Sequence, residues 1–375
     1  MGVGLSHAGE ARAAVREAAA QIDLSQACFV LAFVPAQLDP GALAEALGRH
    51  LPGLPVFGCT TAGQITPAGY EDEALMLLAF PRAHFRCASM LIHPLNPLSI
   101  QRVSAEARRL NAQFTHTAHW NRLALIFSDG LSKQEDMLVA ALAGGLEDVP
   151  VFGGSAGDGL NFRQTAVLHQ GAFRDDAALL LLIETDLEFS GLGFDHFLPT
   201  GAPMVVTEAI PEERLVLEIN GAPAAREYAR LIGCPVDQLS PEVFAAHPML
   251  VRNNSIYHVR AIQEVTPEGA LAFFSAIDDG LLLTLGQGQE ILRTLEDELD
   301  ITDEGGRRPD FILGFDCFLR KLEIGQKQLT GAVSEVLRRR RVLGFNTYGE
   351  QHCGVHVNQT FVGVAFFEPK RRTLA

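Results

Sequence analysis

The chain has no CxxC pair, no CxxCH, no apolar run of bilayer length and no excess of basic charge. Each absence excludes something. Six cysteines (Cys28, Cys59, Cys87, Cys234, Cys317 and Cys353) lie scattered, several inside apolar runs, which excludes covalent c-type haem and reads as buried free thiols. Without about 18–20 consecutive apolar residues no helical membrane span is expected. A net charge of −15, from 30 Lys+Arg and 45 Asp+Glu, opposes a phosphate backbone, so no nucleic-acid partner is expected. The one basic run, Arg338–Arg341, closes a helical pattern, where cations complement the helix dipole. The N-terminal GEARAAVREAAAQI carries charge throughout, as an amphipathic helix does and a secretory leader does not, so the expected location is cytoplasmic. No kinase, cyclase or DNA-binding segment is recognisable, so any signal must pass through another protein.

What is present is a turn written three times. Residues 55–65 read PVFGCTTAGQI, residues 150–160 PVFGGSAGDGL and residues 342–350 VLGFNTYGE. In each, an apolar run meets a glycine (Gly58, Gly153, Gly344), then small or hydroxylated residues (Thr60-Thr61, Ser155-Ala156, Asn346-Thr347), then another glycine. Glycine is required where φ is positive or where another backbone or a ligand comes close. Any single copy reads as turn chemistry between strands. Three copies point to a repeated unit.

The unit is strand, helix, strand, glycine turn, strand. In the first copy ACFVLAFVP (27–35) is a continuous apolar run of strand length, the pattern of a strand covered on both faces. Asp39-Pro40 supplies an N-cap and a first-turn proline to a helix whose apolar face is Leu43, Ala46 and Leu47. In the second, RLALIFS (122–128) precedes a helix expected to start with a Ser132–Glu135 capping box. The third runs from FILGFDC (311–317) to QTFVGVAFF (359–367). The expected fold class is therefore α/β, repeated strand-helix-strand units in mixed sheets, with parallel pairs joined by crossovers. An α+β insert at about 205–290 interrupts it. Two domains are expected for 375 residues, 1–200 with two units and 201–375 with the insert and a third unit at about 309–368.

GCTTAGQI, SDGLS (128–132), GGSAGDGLNF (153–162), EINGAPAAREY (218–228), GFNTYGEQ and HVNQT (356–360) resemble the FIST family, in order and over nearly the whole chain. The resemblance implies an N-terminal and a C-terminal FIST domain and a bacterial signal-transduction sensor of small molecules, not an enzyme. A chain of these two domains alone is similar to the NosP-type branch. That similarity implies non-covalent haem b, nitric oxide sensing, and a partner histidine kinase or cyclic-di-GMP enzyme (diguanylate cyclase or phosphodiesterase), with a homodimer left open.

Candidate residues follow from what each ligand needs. Haem needs an apolar slot, an axial donor and a cation for its propionates. His247, fixed by Pro248 at a helix end, is one donor, and the resemblance expects a histidine there. His258 is the other, on a strand whose alternation puts Arg260 on its own face and Tyr257 on the opposite one. Cys234-Pro235 offers a thiolate. His352, Cys353 and His356 suggest a metal cluster, but the strand pattern around them separates the two histidines. The alternative ligand is a small polar metabolite such as an amino acid. It would be held by the three turns (Gly58, Thr60, Thr61, Gly153, Ser155, Gly344, Asn346 and Thr347) with Glu350, Asn358 and Thr360, which match the family pattern. A remote third reading is an α/β-hydrolase-like enzyme, since GGSAG fits the nucleophile-elbow letters with Ser155 at their centre.

Overall fold

A computed structural model describes residues 1–253, 256–352 and 354–369. The repeat is larger than its sequence signature. Each copy begins with a leading strand and a helix: Gly2–Ser6 and Ala11–Ala19, then Phe85–Ile92 and Ile100–Gln113, then Glu188–Phe194 and, beyond the insert, Ile291–Glu298. Two parallel strands follow, joined through helical crossovers: Ala27–Pro35 with Val56–Thr61, Asn121–Ser128 with Val151–Ser155, and Phe311–Cys317 with Val342–Thr347. A return strand (Leu75–Pro81, Ala178–Thr185 or Phe361–Phe367) runs antiparallel between the leading strand and the first parallel strand. The third copy thus starts at Glu188, and the mixed insert occupies Phe197–Gly288.

After each glycine turn comes a short hairpin that leaves its own copy. The hairpin Gln64–Glu71 of the first copy adds to the third sheet through the pair Gly344/Ile65. The hairpin Val167–Arg174 of the second adds to the first sheet, and Glu350–Val357 of the third to the second. Each sheet so reaches six strands by borrowing two, in a closed cycle with pseudo-threefold symmetry.

The continuous apolar runs are explained by this arrangement. Phe29, Leu31 and Phe33 point into a core shared by all three sheets, while Val30, Ala32 and Val34 point outward under the helices. Leu123, Leu125 and Phe127 repeat the inward set, as do Phe311, Leu313 and Phe315. The equivalent rings Phe33, Phe127 and Phe315 gather near the axis, with centroids 6.0 Å apart for the first two and 6.0 Å for the last two. From Phe29 onward strand alternation is intact; both faces are simply covered.

Local signals mostly hold. Asp39 accepts from the Ala42 N–H at 2.7 Å and Pro40 opens the helix, as expected. The Ser132–Glu135 capping box is not formed. The helix starts at Glu135 without a side-chain cap, Ser132 Oγ donates to the Asp129 carbonyl at 2.9 Å, and Glu135 pairs with Arg214 of the insert. A long-range ion pair outcompeted a local cap worth about 1 kcal/mol.

Candidate functional site

The three turns meet at one pole of the pseudo-threefold axis and are tied in a ring. Ala62 N–H donates to the Asn346 carbonyl (3.0 Å), Gly157 N–H to that of Thr60 (3.1 Å) and Tyr348 N–H to that of Ser155 (3.3 Å). A second cycle runs the other way, from Asn346 N–H to Gly63, Ser155 N–H to Gly349 and Thr60 N–H to Ala166. The first glycine of each turn is forced by a neighbouring strand. A Cβ at Gly58, Gly153 or Gly344 would fall 1.9, 1.8 or 1.7 Å from the carbonyl oxygen of Ala32, Ile126 or Gly314.

Beside this ring lies a cavity of about 600 Å3, within the range of small-molecule sites. Thr61 and Ala62 form one wall, Asp158 and Asn161 another, and Phe318 and Lys321 of the helix Phe318–Gln326 a third. Lys321 is 15% exposed and pairs with Asp72, itself 73% exposed, while its Nζ also reaches the Ala62 carbonyl at 3.5 Å. Gly63 leaves the space between that ammonium and the Asn346 amide oxygen, which is buried and has no hydrogen-bond partner. Asp158 is saturated: it accepts from the Phe162, Arg163 and Gln164 N–H groups and from Tyr348.

Other expected pocket residues brace the ring from inside. Glu350 is fully buried, accepting from Thr347 Oγ1 and, at 3.2 Å, from Thr360 N–H. Thr360 Oγ1 donates to the Asn358 carbonyl, and the Asn358 side chain takes a bond from Ser275 of the insert. Thr60 Oγ1 accepts from Ala166 N–H. The Ser155 hydroxyl, 0% exposed, sits between Ser128 Oγ (3.1 Å) and Gln351 Nε2 (3.0 Å), and the chain after it forms a loop, not the helix of an elbow.

Burial pushes the Glu350 carboxyl well above its usual range, against the hydrogen bonds from Thr347 and Thr360. The folded state therefore holds this proton more tightly than the unfolded chain. The stability it contributes is complete below the ordinary carboxylate range and falls as pH rises through the folded value. Glu350→Gln should flatten that decline, so urea midpoints at about pH 5 and about pH 9 should differ less in the variant than in the parent.

The haem candidates lie elsewhere. His247 is exposed at the end of the short helix Pro241–Ala246, its carbonyl accepting from Tyr228 Oη at 2.8 Å. His258 is half-buried on the edge strand Ile256–Arg260. Alternation there is as expected: Tyr257 and Val259 face an apolar cluster, and His258 and Arg260 the other side. Arg260, however, faces Asp136 and Arg214, and its buried Nε and Nη1 lack partners. Neither histidine lines either of the two large cavities of the fold. Cys234 Sγ turns to the Pro235 carbonyl at 3.5 Å. His352 and His356 occupy opposite strands of one hairpin, His352 tilted over Phe152 and His356 buried towards Asp136. Cys353 lies outside the described residues. Among the described residues no three His, Cys, Asp or Glu side chains are grouped to hold a metal ion, and no helix is long and apolar enough to cross a membrane.

The opposite pole holds what sequence reasoning missed. A cavity of about 790 Å3 opens there, lined by Val3, Phe85, Leu187, Phe311 and Leu343, with Arg338 and Arg341 among its polar groups. His84 also lines it, and its Nδ1 is held by Asp186 at 3.0 Å. His84 stands in the polar turn PRAHFR, and no sequence pattern distinguished it.

Comparison with known proteins finds two family domains along the chain, with a boundary that falls inside the insert. A family profile described as the FIST N domain matches residues 28–222, and one described as the FIST C domain matches 224–353. No curated protein matches the chain.

Proposed function

Because the chain belongs to the FIST family, whose domains are signal-transduction sensors, we propose that it senses a small polar ligand at the ring of turns. The observation that carries this reading is the Lys321–Asp72 pair at the 600 Å3 cavity. A recessed ammonium whose counter-ion is largely solvated can exchange it for a ligand carboxylate. Exposed Asp72 and Glu242 then remain to take an ammonium, so the ligand class is an amino acid or similar zwitterion. Release of Asp72 frees the end of the exchanged hairpin Gln64–Glu71, a bistable element whose shift a histidine kinase or cyclic-di-GMP enzyme could read.

The test is a thermal-melt screen against amino acids and small dicarboxylates, followed by calorimetry. Lys321→Met should weaken binding by about tenfold to a hundredfold, the worth of a charge-assisted hydrogen bond. If no carboxylate raises the melting temperature, or the variant binds as tightly, the reading fails.

A second reading keeps haem b, and one observation favours it: the apolar cavity at the far pole combines a histidine with two arginines. His84, oriented by Asp186, would hold the group, and Arg338 and Arg341 would face its propionates. Haem bound there would supply the iron that takes nitric oxide. Added hemin should then give a Soret band that His84→Ala shifts and that His247→Ala and His258→Ala leave in place. Protein that takes up no hemin removes this reading and leaves the first untouched.

A further inference from the structure

Cys28 and Cys87 are brought together by an irregularity in a strand. Along Ala27–Pro35 the even positions Val30, Ala32 and Val34 face outward under the helices. Cys28 shares their parity, yet it packs against the inner core, as Cys87 does. The cause is a register break: pairing with the return strand shifts between Ala27/Pro81 and Phe29/Phe80, leaving Cys28 as the extra residue. A bulge re-aims one side chain without disturbing the rest of a ladder. Here it aims a thiol of the first sheet at the strand Phe85–Ile92 of the second, which packs against it and carries Cys87.

The surroundings suit reaction. Both residues are partly exposed, unlike Cys59 and Cys317, which are fully buried and whose thiols burial pushes up. The neighbouring Cys87 lowers the Cys28 thiol to about 7, against burial, with help from Arg82 and Arg86. Arg82 is anchored at this spot by its bond to the Ala27 carbonyl at 3.0 Å, and Arg86 by Thr117 and the Trp120 ring. Burial and the Cys28 thiolate push the Cys87 thiol the other way. An acidic, accessible sulfur beside a second thiol is the arrangement of an attacking and a resolving cysteine.

We propose that Cys28 and Cys87 form a hydroperoxide-reactive dithiol that closes reversibly to a disulfide between the first and second sheets. The Cys28 thiolate attacks a peroxide oxygen. An S–O bond forms, the O–O bond breaks, and the leaving hydroxide takes a proton from solvent, giving Cys28 sulfenic acid and, with hydrogen peroxide, one water. Cys87 sulfur then attacks the sulfenic sulfur. An S–S bond forms, the S–O bond breaks, and hydroxide leaves with the Cys87 proton as the second water. Two thiols have lost two electrons and peroxide has gained them.

The full chain, fully reduced, is treated with one equivalent of hydrogen peroxide and followed by intact mass and peptide mapping. Loss of two hydrogens and a Cys28–Cys87 linked peptide, both reversed by dithiothreitol, are expected. At neutral pH Cys28 should alkylate about fivefold faster than Cys234. Cys87→Ser should stop the reaction at a sulfenic acid that dimedone traps on residue 28, and Cys28→Ser should leave Cys87 unoxidised. Melting curves of both variants, and of the alanine pair, separate loss of reactivity from loss of fold. Added oxygens without a link, a link between other cysteines, or peroxide consumption undiminished in Cys28→Ser would overturn the proposal.

Discussion

Gly344→Ala is expected to yield no soluble folded protein, or one destabilised by more than about 4 kcal/mol against a total of about 5–15 kcal/mol. The added Cβ would lie 1.7 Å from the Gly314 carbonyl oxygen, 2.7 Å from its carbon and 3.0 Å from its nitrogen. All three are backbone atoms of the paired parallel strand, so no side chain can rotate away. Relief requires the two strands to separate, which breaks the ladder from Ile312/Val342 to Cys317/Thr347 and pulls the third turn out of the ring. Gly153→Ala and Gly58→Ala should behave alike, since their Cβ atoms meet the equivalent carbonyls. Gly331→Ala is the control: it sits early in the helix Thr330–Arg339 with nothing within 4 Å of the new methyl. Helix propensity alone then operates, so this variant should gain up to about 1 kcal/mol. Urea unfolding of the four variants checks both halves. Equal losses at Gly331 and Gly344 would mean that the strand contact is not what the glycine serves.

The turn was legible because steric need is written locally: a glycine facing a carbonyl has no substitute, so the letter repeats wherever the geometry does. The strands that carry Phe33, Phe127 and Phe315 were legible as apolar runs, but which of their residues turn inward was not. The exchange of hairpins was not. Three-residue strands such as Gln64–Thr66 and Glu350–His352 pair with sheets other than their own, and nothing in their residues names the partner. At the candidate sites, alternation placed His258 and Arg260 on one face correctly, but what that face meets, Asp136 of a distant helix, depends on the packing of the insert. Lys321 carries no motif, and its role comes from Gly63 and Asp72, some 250 positions away in sequence. The Cys28 bulge is equally silent, because a one-residue shift of register leaves composition and periodicity unchanged.

Arg214→Met should cost about 3–5 kcal/mol and loosen the insert from the second unit. Arg214 is 4% exposed; its Nη2 donates to Glu135 Oε2 at 2.7 Å and Asp136 Oδ2 at 3.0 Å, and its Nη1 to the Phe274 carbonyl. Removing the guanidinium leaves Glu135, 2% exposed, charged and unpaired at the start of its helix. Burial alone would raise the Asp136 carboxyl, but His356, Arg214 and Arg260 more than offset it and hold it below the usual value. At neutral pH the two arginines carry that effect, because burial keeps His356 uncharged. The parent therefore gains stability from Asp136 above the ordinary carboxylate range and loses it as pH falls through the lowered folded value. In Arg214→Met one of the two arginines that hold the Asp136 carboxyl down is gone, so Asp136 contributes less at neutral pH and the deficit of the variant should narrow as pH falls through the carboxylate range. The double variant Arg214→Met/Glu135→Gln should regain part of the loss at neutral pH, since no buried charge is then stranded at residue 135. Denaturant melts of the parent, the single and the double variant across pH give both numbers. A single variant whose deficit is the same at every pH would show that the arginine acts by packing, and that the insert is not held by charge.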